Sequence, residues 1–140
     1  MRSSSSIISK KSFKSSPTNE FISPFDEDDV EVFAVGSNMM GELGSSNVGE
    51  TRKDFLRVKG TKGINFKQIY AGGIHSVGIT KEGKILSWGC DDDGFLGRVH
   101  GIGDIADYIQ GELNDQQIIM VACGDTVTMA LDSNGLRMYK

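Results

Sequence analysis

Several things are scarce in this sequence, and each scarcity removes a class of protein. No run of eighteen apolar residues occurs, so a membrane-spanning helix is excluded. Cysteine occurs only at Cys90 and Cys123, a spacing that matches no metal motif. Each lies in or beside an apolar run, so buried, reduced thiols and a reducing compartment are expected. Positive charge is not in excess: the net charge of −4 argues against nucleic-acid binding over the whole surface. No nucleophile stands with a base in a catalytic pattern, and no second metal ligand stands at a useful distance from His75. Proline is confined to Pro17 and Pro24, whereas all eighteen glycines follow residue 35. So many glycines without proline suit tight turns between short strands.

Acids are missing from the first nineteen residues, which hold Arg2, Lys10, Lys11 and Lys14 among eight serines. An acidic run of Glu20, Asp26, Glu27, Asp28, Asp29 and Glu31 follows. Such a segment buries too little apolar surface to offset its ordering entropy, and residues 1–31 are expected to be a disordered tail. Its four cations fit a flexible arm on DNA phosphate, a mitochondrial leader, or a solubilising tail. Phosphorylation of its serines would reverse the arm's charge.

From Val32 onward the sequence repeats itself. Gly36, Gly41 and Gly44 recur as Gly89, Gly94 and Gly97, each 53 residues later, with Leu43 and Leu96 between them. A second block, Phe66 to Gly83, recurs 52 residues later as Ile118 to Gly135, so that Gly72 meets Gly124 and Gly83 meets Gly135. A repeat near fifty residues marks a stacked architecture in which each unit is completed by its neighbours. Short apolar runs bounded by glycine, such as Ile85-Leu86-Ser87-Trp88, predict strands, and Thr80 to Lys84 predicts a hairpin turn with Gly83 at positive φ. A weak helical pattern covers 102–110. The expected organisation is a tail over 1–31, repeats over 32–84 and 85–135, and the opening of a third over 136–140. The expected fold is all-β, two propeller blades and the start of a third. Unstacked sheets imply marginal stability and self-association through exposed strand edges.

The segments Ala71-Gly72-Gly73-Ile74-His75-Ser76 and Trp88-Gly89-Cys90-Asp91-Asp92-Asp93-Gly94-Phe95-Leu96-Gly97-Arg98 resemble the repeat of the regulator of chromosome condensation family. The likeness extends over about residues 32–140. It implies a seven-bladed propeller of four-stranded sheets. The run from Ala71 to Arg98, with a basic tail ahead of it, is similar to the chromatin-bound branch that exchanges guanine nucleotide on the small GTPase Ran. That branch implies one face on Ran and the other, with the N-terminal arm, on nucleosomes in the nucleus. Cytoplasm and mitochondrion are the alternative locations. Exchange there is differential binding to the nucleotide-free GTPase rather than covalent catalysis, and needs no cofactor or small-molecule substrate. The family's third-blade wedge lies beyond this sequence, so these repeats are expected to be inactive in exchange. The alternative is a non-catalytic interaction module. Two positions depart from the motif: Met39 replaces the acid found at Asp92, and Val127 replaces the histidine found at His75.

His75 is expected to pack and hydrogen-bond between blades, as the resemblance implies. Asp91, Asp92 and Asp93 have two readings, an acidic loop steering a basic GTPase surface or a solvated turn whose side chains cap local N–H groups. Asp92 is the best partner contact by motif position, and a calcium loop is disfavoured because further oxygen ligands are not in pattern. Gly36 to Gly41 is no phosphate loop, since no Gly-Lys-Ser/Thr follows and the glycines recur as turn positions. Trp88, Phe33 and Tyr70 are expected in the core.

Overall fold

The computed structural model describes residues 6–11, 30–46, 48–92, 94, 96–98 and 103–139, with 6–11, Val30 and 136–139 as backbone. Among the described residues ten strands form three antiparallel sheets. The first contains β1 (Ser6–Lys11), β2 (Val30–Ser37) and β3 (Thr51–Arg57) in that order. The central sheet is four-stranded, β4 (Phe66–Ala71), β5 (His75–Thr80), β6 (Ile85–Gly89) and β7 (Asp107–Tyr108). The third holds β8 (Ile118–Cys123), β9 (Thr128–Asp132) and β10 (Gly135–Tyr139). The region expected to be weakly helical instead carries β7, and a 3-10 turn at Glu112–Asp115 follows it. Glycines around that segment favour turns over a helix interior.

The central sheet is apolar on both faces because it is covered on both. Leu86 and Trp88 of β6 point toward the first sheet, into a core with Val32, Ala34, Leu43, Val58 and Ala106. Ile85, alternating with them, joins Val77, Ile79, Ile109, Ile118, Val121 and Ala130 against the third sheet. Side chains one apart on a strand face opposite sides, so one strand feeds two cores. Every residue of β5 and β6 is buried accordingly.

The sequence repeat survives as a repeat of geometry. Gly36 and Gly89 share φ near 120° (123° and 115°), Gly41 and Gly94 have 80° and 77°, and Gly44 and Gly97 have 59° and 63°. The β4–β5 ladder is interrupted between Phe66 and Gln68, and the β8–β9 ladder at the equivalent Ile118 and Met120. The blades, however, are out of phase with the repeat units. The boundary placed between residues 84 and 85 falls inside the β5–β6 hairpin, so the central sheet takes two strands from each unit. The sequence shows which pieces recur but not which adjacent pieces pair.

A second correction concerns the tail. Ser6–Lys11 is a strand, paired antiparallel with Val30–Val35, so that Lys10 lies opposite Glu31 and Lys11 opposite Val30. The unpaired edge of β2 supplies the backbone partners that composition did not foresee. Arg2 and Lys14 lie outside the described residues.

Candidate functional site: an acidic loop end

Antiparallel order places alternate connections at opposite ends of the stack. The β2–β3, β4–β5, β6–β7 and β8–β9 loops share one end. They touch in sequence across it. An added Cβ at Gly41 would lie 3.6 Å from Asp104. The Gly89 amide donates to the Gly103 carbonyl at 2.6 Å, Cys90 N–H to Ile74 at 2.9 Å, and Gly73 N–H to Gly124 at 3.1 Å. Gly89 has φ 115° and leaves only 2.6 Å between a hypothetical Cβ and the Ile74 carbonyl oxygen, so glycine is required where these loops meet.

This end is acidic. Glu50, Asp92 and Asp125 are exposed, Asp91 and Asp104 half-buried. Among the described residues of the four loops the only cation is Arg98, which is buried and donates to the Ile105 carbonyl at 3.4 Å. Met39 and Met40 add an apolar tip, 71% and 48% exposed. The opposite end carries Lys59, Lys62 and Lys81 exposed, with Glu82, Glu112 and Asp115. The acids come from loops far apart in sequence, so only Asp91–Asp93 stood out beforehand.

The three adjacent aspartates separate. Asp91 turns back into its loop, where Oδ1 accepts the Leu96 N–H at 3.3 Å. Asn38, its counterpart 53 residues earlier, accepts the Leu43 N–H at 3.1 Å in the same way. Asp91 is therefore a loop-closing residue of the kind that turn chemistry predicts. Asp92 is exposed, and Asp93 lies outside the described residues.

His75 lies between two sheets, with Nε2 2.6 Å from Thr128 Oγ1. Burial pulls its pKa below 6.5, the Asp125 backbone opposing weakly, so the ring is neutral at pH 7. Its ring packs on Gly72, where a Cβ would sit 2.9 Å from Cε1. Val127 takes the corresponding place beside Gly124, with Cγ1 at 2.9 Å from a Cβ built there. Burial raises both thiols, that of Cys123 to about 11 against a Thr128 hydrogen bond that lowers it. Trp88 is in the core between the first and central sheets as expected, and Tyr70 packs against the other core, that of Val77 and Val121, while donating to Gln68 at 2.6 Å. Phe33 is not: it is half-buried and points away from Val32 and Ala34, on the open side of the first sheet.

Stacked, glycine-hinged sheets with loops gathered at one end define an open segment of a β-propeller. Two models of the regulator of chromosome condensation (RCC1) repeat match it, over residues 82–131 and 66–94. The probable E3 ubiquitin-protein ligase HERC4 of Rattus norvegicus is 33% identical over 105 residues, 75% of this chain and 10% of the relative. The regulator of chromosome condensation of Homo sapiens is 34% identical over 106 residues, 74% of this chain and 24% of the relative. In three dimensions human WBSCR16 superposes with a TM-score of 0.63 at 24% identity, over 77% of this chain and 28% of that one. Prp20p of Saccharomyces cerevisiae, described with its binding to Gsp1p and histones, superposes at 0.58 with 20% identity, over 81% and 30%. The chain belongs to the regulator of chromosome condensation family. It spans about a tenth to a quarter of the length of the curated relatives it matches.

Proposed function

We propose that these blades are the N-terminal part of a guanine-nucleotide exchange factor for the small GTPase Ran, associated with chromatin in the nucleus. The observation that carries the reading is the acidic loop end, where Glu50, Asp92 and Asp125 are exposed with no exposed lysine or arginine among the described loop residues. Such a surface steers a basic partner into encounter. Similarity to the human regulator of chromosome condensation supports the choice of partner. On this reading Asp92 faces the GTPase, and Arg2, Lys10, Lys11 and Lys14 face DNA, Lys10 and Lys11 from a strand rather than a free arm.

A second reading, a non-catalytic protein-interaction module, draws on an identity to HERC4 that is about the same. One experiment separates them. The chain is immobilised and nucleotide-free Ran passed over it; the exchange-factor reading expects binding that weakens when GDP is added. Equal binding with and without nucleotide, or none, favours the module. Stopped-flow release of a fluorescent GDP analogue from Ran is expected to show no acceleration by this chain alone, because differential binding by a part of the ring is too small to expel nucleotide. Clear acceleration would refute that expectation.

A further inference from the structure

Met39 and Met40 put two large apolar side chains into water at the tip of the β2–β3 loop, 71% and 48% exposed. A single exposed apolar residue needs no explanation, whereas this pair is adjacent and sits on a braced tip. The loop is closed without these side chains. The Asn38 amide donates to the Glu50 carbonyl at 2.8 Å, and Asn38 Oδ1 accepts the Leu43 N–H at 3.1 Å. Beneath the tip Glu42 is buried, one carboxylate oxygen accepting the Met40 N–H at 2.7 Å and the other the Ser37 hydroxyl at 3.5 Å. A carboxylate is buried at such a place only when its hydrogen bonds are supplied, so tip and brace form one unit.

The second repeat shows the alternative. The counterparts of Met39, Met40 and Glu42, 53 residues later, are Asp92, Asp93 and Phe95. Both loops close, one through Asn38 and the other through Asp91, so the turn does not need methionine at its tip. Neighbouring sheets do not cover this position from either side. Met39 is exposed with the following sheet in place, its loop touching Asp104 at Gly41. Asp92, the equivalent position, is exposed with the preceding sheet in place. A longer ring of such sheets therefore leaves the tip free.

Charge indicates what meets it. Exposed Glu50 lies beside Asn38 in the same loop, Asp104 lies against Gly41, and no lysine or arginine is exposed among the described residues of the four loops. An apolar tip among acids is complementary to an apolar pocket rimmed by basic side chains on a folded protein. Methionine adapts its three torsions to such a pocket, and the braced backbone has little order left to gain on binding.

We infer that Met39 and Met40 anchor the partner of this loop end by entering an apolar pocket on its basic surface, while Glu50, Asp92 and Asp125 steer the encounter. The anchor rests on the exchange-factor reading of this end and adds to it the residues that set how long the complex lasts.

The test measures association and dissociation of nucleotide-free Ran on the immobilised chain, with Met39→Ser/Met40→Ser and Met39→Leu/Met40→Leu double variants. The serine variant is expected to dissociate about tenfold faster at an unchanged association rate, because an anchor acts after encounter. The leucine variant keeps the apolar bulk and is expected to dissociate at close to the wild-type rate. A serine variant that dissociates as slowly as wild type, or a leucine variant that dissociates as fast as the serine one, would overturn the inference and leave the exchange-factor reading standing. Failure of the wild-type chain to bind Ran overturns both. Unchanged denaturant midpoints check that the variants are folded; Met39→Ser alone replaces the serine double variant if that one is not.

Discussion

At the residue scale, neighbours in sequence do different work. Asp91 and Asp92 are adjacent and alike, yet one closes a loop and the other faces solvent. Asp91→Ala is expected to cost about 1 kcal/mol by leaving the Leu96 amide without its acceptor, and Asp92→Ala less than about 0.5 kcal/mol. Asp92→Lys, in contrast, is expected to slow association with a basic partner several-fold while leaving the melt unchanged. Denaturant titration and association kinetics on the same proteins check both halves. His75 gives a pH dependence. Its folded pKa lies below the usual 6.5, so below that value the unfolded chain binds the proton first. Its contribution is therefore complete above pH 6.5 and lost as pH falls through the window beneath it. The denaturation midpoint is expected to fall between pH 7 and pH 5, and His75→Gln to flatten that part of the profile.

At the element scale, recurring glycines set where strands end. Gly83 turns β5 into β6 at φ 79°, with the Thr80 amide donating to Lys84 at 2.8 Å, as its place between two apolar runs predicts. In the third sheet Asp132 performs part of that task by accepting the Asn134 and Gly135 amides, each at 2.7 Å. Gly89 is the more demanding position, since its positive φ coincides with backbone contact at both Ile74 and His75. Gly89→Ala is expected to destabilise by about 2 kcal/mol or more, read as a lower denaturant midpoint. Gly94→Ala meets nothing within 4 Å, and carries only the cost of its φ of 77°. It is expected to cost about 1 kcal/mol.

At the scale of the whole molecule, charge and apolar surface lie in different directions. The loop end is acidic, the opposite end mixed, and the apolar faces are those of the first and third sheets. Docking through the loop end is expected to weaken as salt rises, because exposed charges are screened beyond about 10 Å at 0.1 M salt. Association rates measured against sodium chloride check this without any mutation.

The sequence by itself determined the family, the all-β class, the turn glycines and the hairpin at Gly83. Each of these is local, or is written twice at a constant offset, and so shows in one dimension. Only the tertiary structure decided that the blades straddle the repeat units, that Ser6–Lys11 pairs with β2, that Phe33 lies on an open face, and that acids from three loops share one end. The reason is physical. Strand pairing depends on which backbone edge lies free in space and burial on which sheet lies alongside, and neither is written in the spacing of residues along a strand.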